Sequence, residues 1–357
     1  MGKENTKAII QEMLTSTPPA FSTGEATSIA ADKYGIHASA HPLVSDRDQN
    51  FRLDGQNGTR YTLKISNSAE QEQVVDFQNR ALVHIEKQDA SLSLPRMIPD
   101  LDGQLHSAVR KDGKSHYVRV LSWVDGSVLQ DADVNEELAD RLGRLLARLG
   151  LALDGYEHPG SNPPLLWDMK RAAGLHDLLG YIEEPELREL VTRTLDRFVS
   201  NVKPTLDTLR TQVIHSDMNP GNVLMDDERP DEISGVIDFG DMVKSPLITD
   251  LAIAASYQLG DGDDPLGGAL PMIAGYHAVR PLLPAEMELL TDLIRTRLIT
   301  SLLIGSYRVT LFPENRDYLM ISYNSARSFL INLNRLGADD ALARIRAACV
   351  CPSLISN

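Results

Sequence analysis

Apolar residues follow two rhythms along this chain, and the change between them divides it. Through the first third they come in short, alternating runs cut by Gly, Asp and Asn. "FRLDG" and "RYTLKIS" flank the turn signal "DGQNGT", which predicts a β-hairpin. "LPRMIPDLDGQLHSAVRKDGKSHYVRVLSWVDG" predicts three more short strands separated by two Gly turns. Between these blocks, "SAEQEQVVDFQNRALVHIEKQ" sets Val74, Val75, Phe77, Leu82 and Ile85 mostly on one face of a single helix.

From about Val134 onward helical spacing takes over. "EELADRLGRLLARLGLAL" places Leu138, Leu142, Leu145, Leu146 and Leu149 along one side. "PELRELVTRTLDRFVSNV" repeats the pattern, as do two long segments beyond Pro284. One β-like interruption remains, "VIHSDMNPGNVLMDDERPDEISGVIDFGD", Val213 to Asp241. It reads as two arms of a hairpin, the first stopping at His215 and the second at Asp238. No internal repeat or low-complexity tract occurs. The expected organisation is an N-terminal extension (1–20), a small β-rich lobe (21–122), a hinge (123–126) and a larger, mostly helical lobe (127–357). A cleft between lobes is the default ligand site.

Composition narrows the setting. The 357 residues are enough for two such lobes, and 42% hydrophobic with 24% charged residues is ordinary for a soluble protein. No apolar stretch has transmembrane length, and "MGKENTKAIIQEMLTSTPPAF" lacks the pattern of a signal peptide. Cys349 and Cys351 have no His or Cys cluster beside them, so neither a zinc site nor a disulfide framework is expected. These features predict a cytoplasmic protein without a membrane partner. The net charge of −15 disfavours nucleic acid as a partner. It suits a cationic small molecule, and it equally serves solubility.

The chemistry gathers in the β-like interruption. Asp217 and Asn222 follow His215 within a short polar loop, and Asp238 opens a D-F-G triplet after an apolar run. Two readings stand. One is a hairpin whose turns are rich in Asp, Asn, Gly and Pro. The other is a metal-nucleotide site, because the spacing is that of the protein-kinase catalytic loop and its metal-binding aspartate. Phosphoryl transfer needs a carboxylate to orient the attacking hydroxyl and oxygen ligands to hold Mg²⁺ on the phosphates.

"HSDMNPGNVL" and "GVIDFGD", followed by "ITDLA", resemble the signature of the aminoglycoside phosphotransferase/choline kinase superfamily, from about Phe21 to Leu330. The resemblance implies an α+β, protein-kinase-like two-lobed fold. It implies Asp217 as catalytic base, Asn222 and Asp238 as Mg²⁺ ligands, and His215 and Asp250 as supports of the loop. For Asp250 an N-cap role is open beside that one. Lys64 in "YTLKIS" stands where a phosphate-binding strand lysine is expected. Its helix partner falls at Gln78, with Asp76 and Glu72 as alternatives. The phosphate-covering loop falls at Ser45–Phe51, with Ser45 and Asn50 as contacts and without a G-x-G-x-x-G pattern. Backbone groups from Leu121 to Val124 are expected at the purine, with Trp123 walling the base or packing between lobes.

"ISGVIDFGDMVKSPLITDLAIAASY" and "LFPENRDYLMIS" resemble the hydroxylysine kinase branch. A zwitterionic acceptor would draw on acidic Asp168, Glu183, Glu184 and Asp241 and on cationic Arg308 and Lys244, each of which reads equally as solvated surface. The expected function is transfer of the γ-phosphate of ATP or GTP to a hydroxylated amine or amino acid, hydroxylysine-like. Aminoglycoside, homoserine or choline-type substrates are the runner-up, and a nucleotide-binding module without catalysis is the rival from another class. Oligomeric state is left open.

Overall fold

The computed structural model describes residues 18–350 apart from 46, 57, 132, 133, 261, 263, 314 and 315. Most of the expected N-terminal extension therefore lies outside the described residues, as do Cys351, Asp46 of the expected phosphate loop, and Glu314 and Asn315 of "PENRDYLMI".

The β-rich lobe is a six-stranded antiparallel sheet of β1 (Ala38–Leu43), β2 (Gln49–Gly55), β3 (Arg60–Ile65), β4 (Met97–Ile98), β5 (Ser107–Lys111) and β6 (Lys114–Ser122). The order is β1-β2-β3-β6-β4, with β5 also on β6. Alternation decides its faces. Phe51, Leu53, Leu63, Ile65, Val118 and Val120 are buried on one side, against α1 (Thr23–Tyr34). Lys64, set between Leu63 and Ile65, turns to the other side.

Helix α1 is absent from the expectations, and its composition explains why. Its buried positions are Ala26, Ala30 and Tyr34, too small a stripe to give a clear helical period. The legible signals are at its ends. Ser22 and Glu25 form a capping box, and Gly35 stops the helix at φ 66°.

Helix α2 (Glu72–Gln88) buries the predicted face, Val74, Val75, Phe77, Leu82 and Ile85. Phe77, Leu82 and Ile85 join the core that fills the helical lobe and reaches Met97 and Leu121 of the sheet, and not the core between the sheet and α1. The Tyr156 hydroxyl donates to the Phe77 carbonyl at 2.8 Å, and His158 Nε2 lies 3.1 Å from Asp76 Oδ2.

After the short strand β7 (Ser127–Val128) the helical lobe begins with α3 (Glu136–Ala152), which carries the predicted leucine stripe. A 3₁₀ segment (Met169–Tyr181), α4 (Pro185–Arg197) and α5 (Lys203–Leu206) follow. Beyond the β-like interruption come α6 (Ile248–Ala255), α7 (Ala269–Val279), α8 (Pro284–Leu311), α9 (Arg316–Leu333) and α10 (Ala338–Val350). The long α8 is buried on most of its circumference through its middle turns and serves as the axis of this lobe. Among the described residues, no helix is long and apolar enough to cross a membrane.

The interruption pairs differently from the expected hairpin. Its first arm is β8 (Thr211–Ile214), which pairs with β11 (Val243–Pro246). Its second arm, β10 (Ile233–Val236), pairs with β9 (Val223–Met225), and β9 also pairs with β7. The turn-forming run "DDERPD" sits between Met225 and Ile233, so the short run Val223–Met225 takes the hairpin position. Residues 215–222 are thereby left as a loop between strands, facing residues 237–241.

Candidate active site

That loop is held by backbone geometry that costs energy. Ser216 and Asp238 adopt left-handed φ of 68° and 57°, unusual for residues with a Cβ. A buried carboxylate stabilises the first bend. Asp250, in the opening turn of α6, accepts from the His215 N–H at 3.3 Å and the Ser216 N–H at 2.8 Å. The N-cap of α6 is Leu247, so the capping alternative for Asp250 is set aside. Burial raises the Asp250 carboxyl to about 6 against those two bonds. His215 is fully buried, edge-on to Phe239 with ring centroids 4.7 Å apart. Its Nδ1 accepts from the Asp217 N–H, and its Nε2 is 3.2 Å from the Ile237 carbonyl. Desolvation lowers its pKa, in keeping with a neutral ring that donates from Nε2.

Three side chains then meet. The Asn222 amide nitrogen donates to the Asp217 carbonyl at 2.9 Å and to Asp217 Oδ2 at 2.8 Å. The Ile237 N–H donates to the Asn222 carbonyl at 2.9 Å, which ties the loop to the strand leading into Asp238. Asp238 Oδ1 receives Lys64 Nζ at 3.1 Å and the Gly240 N–H at 3.2 Å. The two carboxylates are driven apart electrostatically. Burial, and next the nearby Asp241, push Asp217 up to about 7, while Arg297 opposes them. The Lys64 ammonium beside Asp238 holds its carboxyl well below the usual carboxylate range.

The donor chemistry fits a hard cation. Asn222 spends its nitrogen on Asp217, which leaves the amide oxygen, and Asp238 keeps Oδ2 beyond its two Oδ1 contacts. A few protein oxygens completed by phosphate and water are what Mg²⁺ takes.

The remaining candidates divide. Asn50 sits opposite Lys64 in the β2–β3 register, and its buried Oδ1 has no hydrogen-bond partner. Ser45 Oγ donates to the Asp48 carbonyl and shapes the loop. Gln78 donates to the Gly240 carbonyl at 2.8 Å, and Lys64 instead pairs with Asp238. Asp76 is taken by Arg80 and His158, and Glu72 by His106. The orienting partner expected on the helix is thus supplied from Asp238, because α2 contributes an amide where a carboxylate would compete. Leu121 belongs to the sheet, paired with Thr62 on one side and Met97 on the other, and the Trp123 N–H donates to the Arg60 carbonyl. Trp123 also receives the Arg60 guanidinium 5.9 Å from its ring centroid. The Leu121 backbone and the Trp123 N–H, both expected at a purine, are thus engaged within the protein.

Of the residues expected at the acceptor, Asp241 is joined at 2.5 Å to Arg47 of the loop before β2. Arg308 lies about 16 Å along α8 from Arg297, three turns away. Lys244 pairs with Glu157, Glu184 with Arg327, and Asp168 with Lys170 and Arg171, while Glu183 is exposed. Two residues at the site escaped the sequence reading, Arg47 and Arg297. Arg297 is 4% exposed, and its Nη2 reaches within 3.6 Å of Asp217 Oδ1. In the sequence it is one of two arginines, with Arg295, inside the largely aliphatic run "LIRTRLITSLLIG".

The profile described as "Phosphotransferase enzyme family" matches residues 39–283. Hydroxylysine kinase of Mus musculus is 28% identical over 344 residues, covering 90% of this chain and 92% of that protein. A microcompartment-associated aminopropanol kinase superposes with a TM-score of 0.63 at 20% identity, covering 90% of this chain and 99% of its own. Amicoumacin kinase in complex with AMP-PNP superposes with a TM-score of 0.64 at 17% identity, covering 89% and 96%.

Proposed function

The chain belongs to the phosphotransferase enzyme family, and from that premise we propose a kinase that moves the γ-phosphate of a Mg²⁺-bound ATP or GTP to the hydroxyl of a small hydroxylated amine or amino acid. One observation carries this reading: Asp217, Asn222 and Asp238 converge from two separate loops, with Lys64 of the sheet lobe joined to Asp238. A hairpin with decorated turns has no need to spend two left-handed non-glycine residues and a buried carboxylate on holding such a cluster.

Each side chain has a task. Asp217 keeps Oδ2 on the Asn222 amide and offers Oδ1 to the acceptor hydroxyl, orienting it and taking its proton as the bond to phosphorus forms. Asn222 and Asp238 would hold Mg²⁺, which when bound neutralises charge on the phosphates. Lys64 reaches the phosphates from β3, with Asn50 alongside it. Trp123 and Val124 would meet the purine. The likeness to hydroxylysine kinase supports an acceptor of the hydroxylysine type, and the aminopropanol kinase likeness supports the same site architecture.

The test is Asp217→Asn, assayed with hydroxylated amines and amino acids and both nucleotides. Transfer is expected to fall roughly 10²–10⁴-fold while Mg-nucleotide affinity stays within a factor of a few. A variant that keeps wild-type turnover would remove Asp217 from the chemistry. Wild-type protein that binds nucleotide and phosphorylates nothing in the panel would favour the binding-module reading.

A further inference from the structure

Among the described residues, Arg297 differs from the two other cations placed at the cleft, Lys64 and Arg47. Lys64 is spent on Asp238 and Arg47 on Asp241, each by a direct ionic hydrogen bond. Arg297 makes no such bond to a carboxylate. Its Nη2 donates to the Tyr257 hydroxyl at 2.9 Å and stays 3.6 Å from Asp217 Oδ1, beyond hydrogen-bond range. Its guanidinium lies 4.8 Å from the centroid of the Trp167 ring and 5.9 Å from that of Tyr257. Two of its nitrogens, Nε and Nη1, are buried without a hydrogen-bond acceptor.

Burying a guanidinium with two donors unpaired is costly, and an ion or ligand that accepts from them is one way to satisfy it. Were Arg297 present only to keep Asp217 ionised, a short, two-pronged pair would do it better. The aromatic packing instead holds the flat guanidinium still, with Nη2 on Tyr257 and with Nε and Nη1 left without acceptors, and a held planar guanidinium is suited to a planar anion. Asp217, the group that faces the acceptor hydroxyl on this reading, lies 3.6 Å from the guanidinium. The anion at Arg297 therefore belongs to the acceptor.

We propose that Arg297 binds the carboxylate of the acceptor, so that the substrate class is hydroxy amino acids and not carboxylate-free amino alcohols. This deepens the kinase reading and rests on it. The hydroxyl meets Asp217 Oδ1, and the carboxylate, a short aliphatic chain away, meets the adjoining guanidinium. Arg297 is thus the specificity-determining residue that neither the motifs nor the loop spacing reveals.

The experiment compares kcat/KM for paired acceptors: 5-hydroxylysine against 1,5-diaminopentan-2-ol, and homoserine against 3-aminopropan-1-ol. In wild-type protein the better amino acid is expected to exceed its decarboxylated partner by at least about 100-fold. In Arg297→Gln that ratio is expected to fall to within about 3-fold, with the KM for Mg-nucleotide unchanged, and Arg297→Lys is expected to recover part of it. Equal use of both forms by wild-type protein overturns the proposal, and needs no variant. A proportional loss on both acceptors in a folded Arg297→Gln protein overturns it too, because a purely structural arginine would act that way. Wild-type protein that binds Mg-nucleotide and phosphorylates none of the four overturns the kinase reading itself, a result separate from either ratio.

Discussion

Asp217 and Asp238 are both carboxylates in one cleft, yet their surroundings assign them opposite protonation behaviour. Asp238 is kept ionised by Lys64, as the proposed cation-ligand role requires. Asp217 is poised to about 7 by burial and by Asp241, where it can take a proton from an alcohol and hand it on. If Asp217 is the base proposed above it acts ionised, and acceptor kcat/KM is then expected to fall as pH drops below about 7. Asp241→Asn removes a raising influence, so the acid limb should move down by about one pH unit. A pH profile identical in the two proteins would detach the limb from Asp217. At this scale the motif residues were legible because His215, Asp217, Asn222 and Asp238 sit in two short, spaced signatures. Arg297 was not, since its place beside Asp217 comes from the packing of α8 and no local pattern announces it.

Elements bring those residues together, and some contacts leave no room for change. Helices α3 and α7 approach so closely that a Cβ at Gly143 would run into the Met272 carbonyl, and one at Gly275 into the Asp140 carbonyl. Gly180, in the 3₁₀ segment, has open space around it. Gly143→Ala and Gly275→Ala are each expected to cost roughly 2–4 kcal/mol of stability, with Gly180→Ala near neutral by thermal or urea unfolding. A Gly143→Ala protein as stable as the parent would contradict the close crossing. The leucine stripe made α3 readable and sheer apolar length made α8 so, as the turn signal did for β2 and β3. Helix α1 and the β8–β11 pairing were not readable by period. The first hides behind alanines, and the second joins runs whose partners are chosen across an intervening hairpin.

Across the whole molecule, the two lobes anticipated from the change in rhythm are present as a sheet and a helical mass, but the chain and the core divide at different places. Sequence position assigns α2 to the sheet lobe. Its residues Phe77, Leu82 and Ile85 join the core that runs through the helical lobe and also takes in Met97 and Leu121 of the sheet. Tyr156 and His158 clamp α2 to the helical side, with Gly160 pressed against the Gln73 carbonyl. Linear patterning cannot show this, because an amphipathic helix advertises a buried face without naming what buries it. The consequence concerns which parts share a fate when the protein breathes. Amides of α2 should exchange with deuterium at rates set by α3, and nucleotide should slow exchange in β1–β3 more than in α2. Exchange of α2 in step with β2 and β3 would place it back with the sheet. On the expected pattern α2 is a stationary post, and the sheet with its lysine is the part that travels.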